Sequence, residues 1–368
     1  MSGGFLSPLF FMGLGTVGEY VPPPTVLPDV SFVNGFYTQI TVTDYHGVAL
    51  GELDAEIESV VWRRNDVSRS RLVVANPGTA DELIQFGNRV LIEFDNGLAD
   101  WVGYFEPPRR WRYGSAALTA YSGEGLLGHR VTSRGRYFTW ATAGAILQAL
   151  LREQAGPRVV EIGTVWLGGI GHSPDYHFKD LLTVARDSLA RMEAADFDVT
   201  GRIEGGRLRL RANFYERKGF DLADVWLIEG HNVRVAEPEE QGEIVNEWFL
   251  AGAGTGWGED ARAYSAARDE ASIWTYGLRQ GSEVLSGVSV QATLDAHARA
   301  NLAESAEPYM SLPFMALNMA PARFADYGIG DGVNIELYSY FENGFEGMRR
   351  VIGREFRPRD GGCVTMVV

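Results

Sequence analysis

Between residues 31 and 135 the sequence never settles into a helical period. It runs as short alternating segments, each cut off by a turn signal. FYTQITVTDY (36–45) alternates and closes at His46-Gly47. LGELDAEIESVVW (50–62) sets Leu53, Ala55, Ile57 and Val61 in rough alternation. WRRNDVSRSRLVVANP (62–77) stops at Asn76-Pro77, GNRVLIEFDNG (87–97) at a glycine turn, and WVGYFEPP (101–108) at its prolines. ALTAYSGEGLLGHRVT (117–132) adds one or two more strands. Strands joined by tight turns, with no helix between them, must bury their apolar faces on one another. That predicts a small barrel or sandwich over 31–135. The 44 glycines, nine Trp, fifteen Tyr and nineteen Phe suit a turn-rich β chain and exclude long disorder as its main character.

The period then changes. TWATAGAILQALLREQAGP (139–157) has Ala145, Ile146, Ala149 and Leu150 at helical spacing, Thr142 as N-cap and Gly156-Pro157 as stop. After the glycine-rich WLGGIGHSPD (166–175), HFKDLLTVARDSLARMEAADF (177–197) is predicted as a second helix, with Leu181, Leu182, Ala185 and Leu189 apolar. GRIEGGRLRLRANF (201–214) reads as a hairpin turned by Gly205-Gly206. Residues 136–235 are thus expected to form a mixed α/β module. Residues 236–306 carry short strands, the loop GAGTGWGED (252–260) and a third helix, SVQATLDAHARANLAESA (289–306). From 307 to 368 the chain returns to strands. The expected class is α+β, mainly β: two β-modules flanking an α/β insertion.

The first 30 residues stand apart. FLSPLFFMGLGTV (5–17) is apolar, PPP follows at 22–24, and the first basic residue is Arg63, so the basic n-region of a signal peptide is missing. This reads as an extended arm, lying either on a neighbouring subunit or partner or on its own domain. No apolar run reaches the roughly 18 residues of a membrane span.

The two β regions echo each other. GNRVLIEF (87–94) and GDGVNIEL (330–337) share G-[ND]-x-V-x-I-E-[FL]; a turn follows each, DNGL (95–98) and ENGF (342–345), then a strand, WVGYF (101–105) and RVIGREF (350–356). A proline precedes each first glycine, at Pro77 and Pro321. Either strand–turn–strand units simply look alike, or the chain holds two copies of one β-barrel split by an insertion.

Chemistry is harder to find. The net charge of −15 disfavours wrapping of nucleic acid, which needs a basic stripe. Only Lys179 and Lys218 are lysines, so the basic residues are almost all arginine, as a GC-rich genome would give. His172 and His177, with Asp175 and Asp180 nearby, are the one conceivable metal cluster, but closeness in sequence is not ligand geometry. Cys363 has no local histidine partner and GxSxG is missing, so nucleophilic catalysis is not indicated. Gly252, Gly254, Gly256 and Gly258 are followed by Glu259 and Asp260, which would repel a phosphate. Glu237, Glu239, Glu240 and Glu243 fit a solvated loop or helix start better than a glycosidase pair. Arg109-Arg110-Trp111-Arg112 reads as a strand-edge cluster or an inter-subunit ion-pair site rather than a base-stacking surface. No catalytic, cofactor-binding or metal residue is assigned, and no cofactor is expected.

In the order of its strand patterns the chain resembles the baseplate hub, or tail-associated, proteins of long-tailed bacteriophages. The resemblance runs through ITVTDYHGVALGELDA, SVVWRRNDVSRSRLVV, RVLIEFDNGLADWVGYFEPPRRWRYG and LLGHR, then LIEGHNVRVAEPEEQGEIVNEWFLAGAGTGWG, DEASIWTYGLR and GDGVNIEL, over about 31–368. It implies two tail-tube-like barrels per chain and a homotrimer whose six barrels match a six-fold tube. It further implies a non-enzymatic symmetry adaptor at the virion tail tip, assembled in the host cytoplasm, without stable membrane insertion. The implied partners are the tail tube or distal tail protein, the tape-measure protein and tip or fibre proteins. DNA would pass only in transit, eased by the acidic charge. Lytic or fibre parts, which some relatives carry after the hub, are expected here as separate proteins. Two rivals remain: a tail-associated cell-wall hydrolase, needing a carboxylate pair in a cleft, and a glycan-binding adhesin, for which Trp101, Trp111, Trp166 and Trp257 are the platforms to inspect.

Overall fold

The computed structural model describes residues 38–368 apart from 133–134, 155–159, 191–193, 237–238, 255–261, 286–287, 340–343, 361 and 368. The expected arm at 1–30 therefore lies outside the described residues. The remainder is mainly β, with short helices.

Seven strands build the first module: β1 (Thr38–Thr43), β2 (Ala49–Glu52), β3 (Glu56–Arg63), β4 (Arg69–Ala75), β5 (Arg89–Phe94), β6 (Trp101–Arg112) and β7 (Ser115–Ser122). All pair antiparallel, in the order β3-β4-β7-β6-β5-β1-β2. Alternation puts one face inward: β7 buries every second residue, and Ala116, Leu118 and Ala120 join Val42, Val60, Leu72, Ile92, Trp101 and Phe105 in one core. The expected 50–62 strand is two strands, broken after Glu52.

A second module repeats this plan. The strands Asp221–Ile228, Val233–Ala236, Tyr309–Ala316, Gly332–Leu337, Phe345–Arg357 and Gly362–Val367 are the counterparts of β1, β3, β4, β5, β6 and β7 in chain order and in neighbour order. The echo holds at the level of single hydrogen bonds. Gly87 donates to the Phe105 carbonyl and Phe105 to the Asn88 carbonyl; Gly330 donates to the Val351 carbonyl and Val351 to that of Asp331. Gly87 and Gly330 both have positive φ, which explains glycine at this step. One strand departs: Asp221–Ile228 runs parallel to its neighbour, whereas β1 is antiparallel to β5. It and all but the last residue of Val233–Ala236 fall within the expected 136–235 stretch, yet Val225, Leu227 and Val233 share a core with Phe314, Ile335, Val351 and Val367.

Closed barrels were expected, and among the described residues neither module closes. For the first module the reason lies at β3. Its outer edge, which would have to meet β2, is taken by Phe345–Arg357 of the second module, with Val60–Arg63 opposite Phe356–Gly353. The two modules form one continuous sheet.

Two insertions interrupt this frame, one ahead of the second module and one within it. In the first, helix Ala143–Gln154 packs on a three-stranded sheet: hairpin Asp196–Glu204/Arg207–Tyr215, with Glu161–Val165 parallel to its second strand. Its core takes in Leu91, Val102 and Tyr104 from β5 and β6. Thr142 accepts from the Ala145 N–H at 3.4 Å, as the expected cap. The predicted 177–197 helix is only a short turn, Leu181–Thr183, followed by π-helical Val184–Ala190. In the second insertion, helix Gln291–Ser305 covers strands Glu247–Ala251, Tyr264–Arg268 and Gln280–Val284. No described helix is long and apolar enough to cross a membrane.

Candidate functional site

The best-built polar and aromatic constellation is the seam between the modules. Where β3 meets Phe345–Arg357, Phe356 is 2% exposed and sits edge-on to Phe94 (5.8 Å between centroids) and Phe324 (6.2 Å); Trp62 leans on Phe94 at 5.6 Å. Leu98 completes the cluster. Arg354, also buried, donates to the Tyr327 carbonyl at 2.7 Å and lies over the rings of Tyr327 and Phe324. The turn after β5 reaches across too, its Asn96 carbonyl accepting from Asn318.

One carboxylate ties this seam to the first insertion. Asp196 is 1% exposed and pairs with Arg64, which follows β3, and with Arg350 of the second module. It also accepts the Lys218 N–H at 2.6 Å. Asn65 clamps the same strand, donating to the Ala195 carbonyl and accepting from the Phe197 N–H. A carboxylate removed from water is tolerable here because charged partners and a backbone donor surround it.

A cleft of about 610 Å³ opens beside this knot, lined among others by Trp62, Trp101, Glu124, Asp198, Lys218 and Asp331. It tests the hydrolase reading directly. Three of its four carboxylates are engaged: Glu124 accepts from the Val199 N–H, Asp198 pairs with Lys218 and Asn213, and Asp331 accepts from the Phe220 and Gly328 N–H groups. The fourth, Asp100, is exposed, and partial loss of water still holds its carboxyl above the ordinary carboxylate range. Burial pushes the Glu124 carboxyl above the ordinary carboxylate range, hydrogen bonds offsetting only part of it. The folded state thus holds this proton more tightly than the unfolded chain does. Stability falls as pH rises from the ordinary carboxylate range through the raised value. Glu124→Gln is expected to remove that slope, so its melting temperature gains on the parent from pH 4 to pH 8. Parallel melting curves across that range would refute this.

The candidates raised by the sequence scatter. His177 bonds Asp175 at 2.7 Å, while His172 is buried elsewhere in the insertion and Asp180 caps Thr183. Among the described residues no three His, Cys, Asp or Glu gather as a metal site. Cys363 lies in the last strand opposite Ala316 and Phe356. Glu239 and Glu240 are edge-strand residues and Glu243 is exposed; Glu237, Trp257 and most of the GAGTGWG loop lie outside the described residues. Trp101 is core, donating to the Val61 carbonyl, and Trp166 is half-buried. Trp111 is exposed, as are Trp140 and Trp274, which sequence patterning did not single out. Asp196, Arg64, Arg350 and Phe356 were missed as well. The available signal was Ala-Asp-Phe-Asp-Val at 195–199, two acids placed in an otherwise apolar strand.

This geometry is the fold of phage tail proteins. The 43 kDa tail protein of prophage MuSo2 from Shewanella oneidensis superposes with TM-score 0.57 at 13% identity, over 90% of this chain and 98% of that one. A tail protein from Neisseria meningitidis MC58 gives 0.58 at 13%, over 90% and 96%, and prophage tail protein gp18 from Listeria monocytogenes EGD-e gives 0.55 at 12%, over 89% and 94%. No protein-family model matches the chain, and no curated protein matches it.

Proposed function

We propose that the chain is a structural hub protein of a phage, prophage or phage-derived tail tip. Three copies form a ring, each contributing two tail-tube-like modules, and the ring adapts a six-fold tube to three-fold tip proteins. The observation that carries this is the six-strand order found twice in one chain, joined as a single sheet. One duplicated subunit per third of a ring meets six-fold neighbours with near-equivalent surfaces. In this reading, the described strands of module one run from Thr38 to Ser122, those of module two from Asp221 to Gln241 and from Tyr309 to Val367, and the sheet frame stacks toward the tail tube or distal tail protein.

The insertions project toward tip or fibre proteins. Their exposed Trp140, Leu167, Ile170, Phe178 and Trp274 suit protein contacts. The chain's net charge of −15 suits a channel that DNA must slide through without sticking. The role in this reading is structural, in keeping with the tail proteins that share the fold, and in the cleft described above Glu124, Asp198 and Asp331 are spent on structure. The test is the solution mass by light scattering, with negative-stain class averages. Three chains and six lobes are expected. A single chain at high concentration would overturn the ring and move the glycan-binding and hydrolase readings up.

A further inference from the structure

The repeat makes a prediction about an edge that no described strand of the chain covers. Within the chain, the far half of Phe345–Arg357 pairs with β3. Its counterpart is the far half of β6. Trp101–Tyr104 of β6 pair with β5, but past Glu106 the described pairing is with β7 alone.

The counterparts match residue by residue. Arg109 donates to the Ile84 carbonyl as Arg354 does to that of Tyr327, and each lies over aromatic rings, those of Phe86 and Trp111 for Arg109. Trp111, opposite Ala116, holds the place of Phe356, opposite Cys363. Yet Phe356 is 2% exposed and Trp111 is 59% exposed. Among the described residues, the first module displays, uncovered, the surface that the second module buries at the seam.

The complementary edge is also present. The counterpart of β3 in the second module is Val233–Ala236 continued by Glu239–Gln241, which pairs only with Tyr309–Ala316 among the described strands. Register carries Val61 onto Glu239 and Trp62 onto Glu240. The free edge of β6 carries Arg109, Arg110 and Arg112; the free edge it would meet carries Glu239 and Glu240. Opposite charges face each other across a strand pair of this kind favourably, and bare edges left in water invite such pairing.

We propose that Arg109–Arg112 of one copy pairs edge to edge with Glu239–Gln241 of a second copy, Arg110 opposite Glu239. Copies then join by the strand seam that joins the modules within one chain. Pro107 and Pro108, which lack N–H donors, confine the new ladder to the residues after them. This rests on the ring reading, and the experiment separates the two.

In a Cys363→Ser background, chains carrying Arg110→Cys are mixed with chains carrying Glu239→Cys and oxidised mildly. The expected result is a disulfide-linked pair of unlike chains, and none when Glu243→Cys replaces Glu239→Cys. Arg110→Glu alone is expected to dissociate the three-chain species at least tenfold more readily, and adding Glu239→Arg to the same chain restores it, which excludes misfolding. A three-chain mass with no 110–239 disulfide and no response to charge reversal would overturn this edge while leaving the ring. A single-chain mass throughout, without the disulfide, would overturn both.

Discussion

Asp196→Ala is expected to cost about 3–5 kcal/mol, because it leaves two guanidiniums and a backbone N–H at the seam without their shared acceptor. Asp196 belongs to the first insertion, Arg64 follows β3, and Arg350 lies in the second module. Removing an isolated surface ion pair would cost at most about 1 kcal/mol, so the size of the loss reports how far this site is withdrawn from water. Denaturant titration of parent, Asp196→Ala and Asp196→Asn is the measurement. Asparagine keeps one acceptor oxygen and is expected to fall between the other two. A loss below about 1 kcal/mol for the alanine variant would show that the knot is ornamental to stability.

Phe356→Ala should be comparably severe, about 3–5 kcal/mol, since it empties a ring-sized volume between two modules that no helix can collapse into. The neighbours Phe94 and Phe324 are held by their own strands and loops, not by Phe356 alone, so the void persists. Phe356→Leu is expected to cost less than half as much, because it refills most of the volume. Thermal melts of both variants, with limited proteolysis, give the readout. The alanine variant should open at the seam first, which would appear as early cleavage between residues 320 and 345 while the first module stays intact.

The local pieces of this fold are legible in the sequence, and the way they meet is not. Helix Ala143–Gln154 and helix Gln291–Ser305 fall inside the predicted spans, and Gly205-Gly206 turns the hairpin where expected. These elements depend on spacing within one stretch. The 177–197 segment misled because Leu181, Leu182, Ala185 and Leu189 satisfy a helical pattern that the backbone leaves after one turn for π geometry. The echo around Gly87 and Gly330 was visible because a positive-φ glycine and two buried β-branched residues must recur wherever that strand recurs. The seam was not visible, since the partner of β3 is chosen by packing between residues far apart in the chain. Closed barrels were expected for the same reason: alternation says that a strand has two faces, and says nothing of what takes its edge.

The seam also sets a schedule. Gly353 and Arg63 are paired across about 290 residues, the kind of contact that forms late because so much chain must be ordered first. During synthesis the first module emerges early and waits with β3 bare while two insertions and the remaining strands are made. Of the four residues on that waiting edge, Val60, Val61, Trp62 and Arg63, only the last carries a charge. The insertions, with their own local helices and hairpins, can be finished before the frame that carries them. A chain built this way completes its continuous sheet only when Phe345–Arg357 reaches β3, so a nascent copy holds an unfinished frame until then.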